Sequence, residues 1–109
     1  MKALVKYAKG PGNLEIREIP IPKIGPDDVL MKVHASGICG TDVHIYHDEY
    51  SIYQPPLTIG HEFSAVVADV GKNVTHVKPG DRVVSDLMTE KGLMGNDVVD
   101  GAHAEYVAM

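Results

Sequence analysis

Two kinds of sequence pattern meet in one segment of the chain, Val29-Leu30-Met31-Lys32-Val33-His34-Ala35-Ser36-Gly37-Ile38-Cys39-Gly40-Thr41-Asp42. Its first seven residues alternate with period two, which is the pattern of a β-strand. The second half holds the only cysteine of the chain between glycines. Thr41 or Asp42 is suited to cap a short helix there, running from about Cys39 to Tyr46. The segment therefore predicts a strand followed directly by a short helix.

Similar period-two segments occur on both sides, separated by many of the 11 glycines and 7 prolines. The predicted strands are residues 2–7, 14–19, 29–35, 63–70, 82–84 and 104–109. Short strands with glycine and proline turns between them are typical of a β-barrel or sandwich. We therefore expect a mainly β fold. Residues 88–97 are polar and interrupted by glycine, and they are predicted to form a loop.

Composition limits the classes of function. A length of 109 residues suits one domain, residues 1–109, and 44% hydrophobic with 23% charged residues is an ordinary globular balance. The net charge of −5 argues against a nucleic acid or an anionic membrane surface as partner. No run of about 18 apolar residues predicts a membrane span, and the charged N-terminus is unlike a signal peptide. A single cysteine excludes an internal disulfide and favours a reducing, cytoplasmic location.

The candidate chemistry lies in Cys39 and in the pair His61 and Glu62, which follows Gly60. Thiolate, imidazole and carboxylate are the ligands that zinc prefers. The spacing by itself is weak evidence, because the chain has six histidines. Neighbouring side chains on a strand point to opposite faces, so His61 and Glu62 can face one ion only if the backbone bends there. Glu62 is therefore the conditional ligand of this set.

Five blocks of sequence occur in the order found in the zinc-dependent medium-chain dehydrogenases: Gly37-Ile38-Cys39-Gly40-Thr41-Asp42-Val43-His44, Gly60-His61-Glu62-Phe63, Val70-Gly71, Lys78-Pro79-Gly80-Asp81-Arg82-Val83 and Gly101-Ala102-His103-Ala104-Glu105-Tyr106-Val107. The chain resembles this family, and most of all its branch of sorbitol, threonine and butanediol dehydrogenases. The resemblance implies a GroES-like β-barrel as catalytic domain, with NAD or NADP held by a separate domain of a full-length parent.

The resemblance also implies roles for individual residues. Cys39 and His61 would be ligands of a catalytic zinc ion, and Glu62 a ligand when water or substrate exchanges. Thr41 would contact the oxygen of a small alcohol or polyol substrate, and His44 would relay its proton. The implied activity is oxidation of a CH–OH group with NAD or NADP, and a homo-oligomer is possible in a full-length parent.

Two departures from the family pattern are visible. Residues 85–94 contain no cysteine, whereas the family commonly carries a four-cysteine structural-zinc loop there, so we predict no structural zinc. No Gly-x-Gly-x-x-Gly motif and no alternation of strands and helices occurs, so we predict no Rossmann domain and no cofactor-binding residues. The family's third protein ligand usually lies just beyond the position of Met109. We therefore expect a truncated catalytic domain that is inactive in isolation and whose zinc site is partly occupied or empty.

Alternatives remain open for the chain and for single residues. The chain could instead be a stand-alone GroES-like module without catalysis, which binds a partner or a relic metal. Glu62 could orient a ligand rather than bind the metal, Thr41 could only cap the helix, and His44 could be a solvated surface residue. The remaining histidines are assigned to the surface or to packing: His34, His47, His76 and His103. Three tyrosines could line a substrate cleft or pack against the core: Tyr46, Tyr50 and Tyr53.

Overall fold

The computed structural model describes all 109 residues and contains nine short strands and one helix. The elements are β1 (Lys2–Lys6), β2 (Leu14–Glu18), β3 (Val29–Gly37), α1 (Gly40–Tyr46), β4 (Leu57–Thr58), β5 (Glu62–Val70), β6 (Arg82–Val84), β7 (Met88–Thr89), β8 (Gly92–Leu93) and β9 (Tyr106–Ala108). The predicted mainly β fold with one short helix is confirmed. No helix is both long and apolar enough to cross a membrane.

The strands form three antiparallel sheets that do not close into one barrel. The first has the order β2-β1-β4, the second has the order β6-β5-β3-β9, and β7 and β8 form a separate hairpin. The first two sheets are joined by an isolated bridge between Ala3 and Ala104 and by the bond from Leu4 N–H to His103 C=O, 2.8 Å. The expected barrel is therefore not closed.

The long pair β3 and β5 positions the candidate site. Gly37 pairs with Glu62 and Ser36 with Phe63, so the end of β3 lies beside the start of β5. Two register shifts interrupt the ladder, and such irregularities bend and twist a strand pair. Cys39 leaves β3 at the same end at which His61 enters β5. Residues separated by about 20 positions in the sequence are therefore neighbours in space.

Two apolar clusters support this arrangement. One cluster consists of Met31, Phe63, Ala65, Met94, Ala102 and Val107. The other consists of Ile45, Tyr53, Leu57 and Ile59. Burying a side chain such as Leu57 completely stabilises the fold by roughly 1.5–3 kcal/mol. Ile45 is the buried apolar residue of α1, so the second cluster fixes the helix that follows Cys39.

Asp42, one of the two predicted capping residues, does cap the first turn of α1, but from inside the helix and not from the position before it. The helix begins at Gly40, and Cys39 is the residue before it, with extended φ and ψ. Asp42 is the third helical residue, and its Oδ2 accepts the backbone N–H of Cys39 at 2.8 Å. A carboxylate at this position reaches back to the residue that precedes the helix, as in a capping box. This bond fixes the backbone of Cys39.

Residues 88–97 are more ordered than the predicted loop. They contain the hairpin β7–β8, and Met94 is fully buried in the first apolar cluster. Asp97 Oδ2 accepts the N–H of Leu93 at 2.8 Å. Burial opposes ionisation of Asp97, but backbone N–H groups outweigh it and lower the pKa of this carboxyl below its usual value. Local hydrogen bonds therefore satisfy polar residues that sequence reasoning assigned to solvent.

Lys6 is fully buried between β1, the β1–β2 turn and the end of α1. Its Nζ donates to the carbonyls of Gly10 and Gly12, each at 2.5 Å, and weakly to that of Tyr46 at 3.5 Å. Burial lowers the pKa of Lys6, and nearby Asp48 opposes that change. The ammonium group thus links the first hairpin to the helix that carries the site.

Candidate metal centre

The three predicted metal ligands lie together. Cys39, His61 and Glu62 each offer one ligand atom, and these atoms all lie within 4.8 Å of one another. His61 is buried, Cys39 is half-buried and Glu62 is exposed. The group therefore has one side enclosed by protein and one side open to solvent, which suits a site that a small molecule enters.

A bend at Gly60 allows His61 and Glu62 to face the same point. Gly60 has φ +99°, a value that side-chain-bearing residues rarely adopt. His61 lies before the first residue of β5 and is not subject to the alternation of the strand. A Cβ at position 60 would lie 2.6 Å from ring atoms of His103. Both the backbone angle and the close contact therefore require glycine here.

The residues present fit a zinc ion. Zinc accepts thiolate sulfur, imidazole nitrogen and carboxylate oxygen, and catalytic zinc sites leave one position open. Nδ1 of His61 is buried without a hydrogen-bond partner in the protein, which is costly for a polar atom unless something else satisfies it. A donor set of the right chemistry and a buried, unsatisfied ring nitrogen both fit a site for a metal cation.

Asp42 is the buried carboxylate beside this cluster. Its Oδ2 accepts the N–H of Cys39 and lies 3.3 Å from Nε2 of His103. Burial alone would raise the pKa of Asp42, but the hydrogen bonds from His103 and Cys39 outweigh it and lower the pKa below its usual value. Asp42 is therefore a negative charge placed behind the candidate ligands.

His103 has a polar role that the sequence analysis missed. Only 10% of its side chain is exposed, and Nδ1 lies 2.7 Å from Oγ of Ser36 while Nε2 faces Asp42. His103 therefore packs in the interior, which is one of its two predicted environments, whereas His34, His47 and His76 are exposed. Its two partners are 61 and 67 residues away, so no local sequence signal indicated the contacts.

Thr41 and His44 lie on α1, three residues apart, which places them on the same face of the helix. The hydroxyl oxygen of Thr41 is 3.8 Å from the sulfur of Cys39, which puts it beside the candidate ligands. His44 has 60% of its side chain exposed, and its Nδ1 lies 2.8 Å from Oε2 of Glu49. Thr41 therefore lies beside the candidate ligands, and His44 is exposed to solvent.

Comparison with known proteins gives the family. Residues 25–109 match the alcohol dehydrogenase GroES-like domain family. The chain is 45% identical to an L-threonine 3-dehydrogenase of Symbiobacterium thermophilum, in an alignment of 129 positions that covers all of this chain and 36% of that enzyme. The chain therefore belongs to the family of alcohol dehydrogenase GroES-like domains, as the sequence motifs indicated.

Solved structures agree on the fold. An alcohol dehydrogenase from Thermus sp. ATN1 superposes with a TM-score of 0.86 at 30% identity, over 100% of this chain and 37% of that one. The 2R,3R-butanediol dehydrogenase from Bacillus subtilis gives 0.86 at 30% identity, over 99% of this chain and 38% of that one. The chain thus spans rather more than a third of the length of the relatives it matches.

Proposed function

We propose that the chain is the catalytic-domain part of a zinc-dependent oxidoreductase that oxidises an alcohol or polyol CH–OH group with NAD or NADP. The convergence of Cys39, His61 and Glu62 within 4.8 Å carries this proposal. Membership of the alcohol dehydrogenase GroES-like family supports it, because its relatives are threonine and butanediol dehydrogenases. The whole of residues 1–109 forms this domain.

Cys39 and His61 would hold the zinc ion, and Glu62 would bind it when water or substrate exchanges. When bound, zinc supplies Lewis acidity that makes a substrate hydroxyl easier to deprotonate. Asp42 holds the loop of Cys39 through the backbone N–H, and Gly60 turns His61 towards the same point. The substrate would reach these residues from the exposed side, where Glu62 lies.

Thr41 and His44 would move the proton. The Thr41 hydroxyl, beside Cys39, accepts the proton of the alcohol and passes it outward. The exposed ring of His44 exchanges it with water, since an imidazole nitrogen can both accept and donate a hydrogen. Glu49, which the sequence analysis did not single out, orients that ring through Nδ1. The hydride would pass to the nicotinamide of NAD or NADP, whose chemistry is that of the cofactor.

The expected partner is a small alcohol or polyol. A cytoplasmic location and oligomerisation of a longer parent stay predictions. The fold contains no doubly wound parallel sheet on which a dinucleotide commonly binds. We therefore expect no oxidation of alcohols by the purified chain with NAD or NADP, whereas a polypeptide that joins it to a nicotinamide-binding domain should be active.

Titration with Co²⁺ tests the metal centre directly. Co²⁺ bound to a thiolate gives a charge-transfer absorption band, so the parent chain should show this band on titration. Cys39→Ser should abolish the band and His61→Ala should weaken Co²⁺ binding, while His76→Ala, at an exposed histidine, should match the parent. Absence of the band from the parent chain would contradict the proposed site. A metal-binding chain that stays inactive when joined to a cofactor domain would favour the non-catalytic module.

A further inference from the structure

We propose that His103 is a positioning residue that holds the two segments carrying the candidate ligands, residues 39–42 and 60–62, in one arrangement. The inference rests on the metal centre proposed above, and it assigns to His103 no contact with substrate. Its motivation is geometric, because one imidazole ring contacts a residue from each segment that carries a candidate ligand.

The first contact is with the helix start. Nε2 of His103 lies 3.3 Å from Oδ2 of Asp42, the same oxygen that accepts the N–H of Cys39. The Asp42 side chain is 5% exposed and the His103 side chain 10% exposed, so water competes little with this bond. A shift of the ring would move the carboxylate, and the carboxylate holds the backbone of Cys39.

The second contact is with β3, next to Glu62. Nδ1 of His103 lies 2.7 Å from Oγ of Ser36. Ser36 pairs with Phe63 in the sheet, so this hydroxyl sits at the entry to β5. The ring therefore joins the end of β3 and the start of β5 to the start of α1.

The third contact is with the bend before His61. A Cβ at Gly60 would lie 2.6 Å from Cγ and Nδ1 of His103, which shows that the ring packs directly against the Gly60 backbone. The main chain of His103 is held as well, because its N–H donates to the carbonyl of Ile59 at 2.9 Å and its carbonyl accepts the N–H of Leu4 at 2.8 Å. The ring thus projects from a fixed backbone.

The hydrogen-bond pattern requires an imidazole rather than an apolar ring. An ionised carboxylate only accepts hydrogen bonds, so Nε2 of His103 carries the hydrogen that faces Asp42. In the neutral ring, Nδ1 then accepts the hydroxyl hydrogen of Ser36. A phenylalanine would fill the same space but would satisfy neither Asp42 nor Ser36. Partners behind ligating groups commonly change metal affinity by about 10- to 100-fold when they are replaced.

The test is Co²⁺ affinity in the whole chain, measured by competition with a chelator and by the thiolate band. His103→Phe should weaken Co²⁺ binding by about 10- to 100-fold and shift the band. His103→Gln, which can still donate to Asp42, should recover part of the affinity. His76→Phe makes the same change at an exposed histidine and should match the parent. Parental affinity and spectrum in a folded His103→Phe variant would overturn the proposal.

Two further measurements cover the other outcomes. If His103→Phe does not fold, Ser36→Ala removes the second partner of the ring and should weaken Co²⁺ binding several-fold, and parental affinity there would overturn the proposal. If the parent itself binds no Co²⁺, the metal centre is wrong, but positioning is still measurable by amide hydrogen exchange. The Cys39 amide should then exchange faster in Ser36→Ala and in His103→Phe than in the parent, and unchanged exchange would overturn the proposal.

Discussion

Gly60 occupies a position near the site that only glycine can fill without strain. It turns the chain so that His61 and Glu62 approach Cys39, and it does so at φ +99° against the ring of His103. A side chain at position 60 would cause two separate losses of stability, one from the backbone angle and one from overlap with the His103 ring. Another glycine allows them to be measured apart, because Gly80 has a similar φ of +94° but no atom within 4 Å of the point that a Cβ would occupy.

We expect Gly60→Ala to destabilise the chain more than Gly80→Ala. Positive φ costs either variant about 1–3 kcal/mol, and overlap with His103 should add roughly 1–3 kcal/mol for Gly60→Ala alone. Urea unfolding measures the two free energies. If Gly60→Ala and Gly80→Ala lost the same unfolding free energy, overlap with the His103 ring would add no cost at position 60.

Thr41→Val tests whether the hydroxyl of Thr41, and not only the shape of its side chain, is needed for proton transfer. The variant keeps the branched side chain beside Cys39 but removes the hydroxyl. In a polypeptide that contains the nicotinamide-binding domain, the rate of alcohol oxidation should fall by about 10²–10⁴. His44→Gln should cost less, and added buffer base should restore part of that loss, because water reaches the exposed ring position. A parental rate for Thr41→Val with zinc bound would show that the relay assignment is wrong.

The sequence predicted the ligand residues but not the residues that hold them. Cys39, His61 and Glu62 stand in local motifs, so their types and neighbours were visible in one sequence. The bridge from Asp42 through His103 to Ser36 spans more than 60 residues along the chain. Such contacts depend on the pairing of β3 with β5 and leave no local signal, and the roles of the ligands themselves stay predictions.

At the scale of elements, the connection after α1 is held by a buried phenol. Tyr53 is fully buried, and its hydroxyl donates to the carboxylate of Asp48, which follows the helix. Burial, together with the bond to Asp48 and its charge, raises the pKa of Tyr53 to about 12. Of the two environments open to Tyr53 from sequence, packing against the core is therefore correct.

This raised pKa predicts a loss of stability at high pH. The folded value of about 12 exceeds the ordinary value of 10.0, so the neutral phenol favours the folded state. That contribution is complete below pH 10 and is lost as the pH rises through about 12, at up to about 1.4 kcal/mol per pH unit. Unfolding free energy measured from pH 9 to 12 should fall less steeply in Tyr53→Phe than in the parent. Tyr46→Phe, at an exposed tyrosine, should follow the parent curve.

Local elements were predictable because each carries its own periodicity. Six strands and α1 lie within a few residues of the predicted segments. Strand β4 and the hairpin β7–β8 were not predicted, because two-residue strands offer too few positions for a period to appear. The anchor of the hairpin, Met94, is buried only because the sheet lies beneath it.

At the scale of the whole molecule, the chain is shorter than the matching part of one of its relatives. The alignment with the threonine dehydrogenase has 129 positions for 109 residues, so at least 20 positions have no counterpart here. Residues 85–94, where the family pattern commonly has a four-cysteine loop, contain no cysteine. The hairpin β7–β8 occupies that part of the chain, and the segment after it packs Met94 into the core.

This architecture predicts no more than one bound metal ion per chain. The structure contains a single group of three potential ligands, and Cys39 is the only thiol. Because metal that binds the folded chain stabilises it by mass action, zinc at about 100 times its dissociation constant should add about 2.7 kcal/mol to the unfolding free energy. For a domain of this size, that gain corresponds to a rise in Tm of roughly 10 °C or more. A chelator should reverse the rise in Tm, and Cys39→Ser should abolish it, since the thiolate is lost without a large change in volume.

Calorimetry of metal binding gives the stoichiometry independently. Two tightly bound equivalents of zinc per chain would contradict the assignment of a single centre.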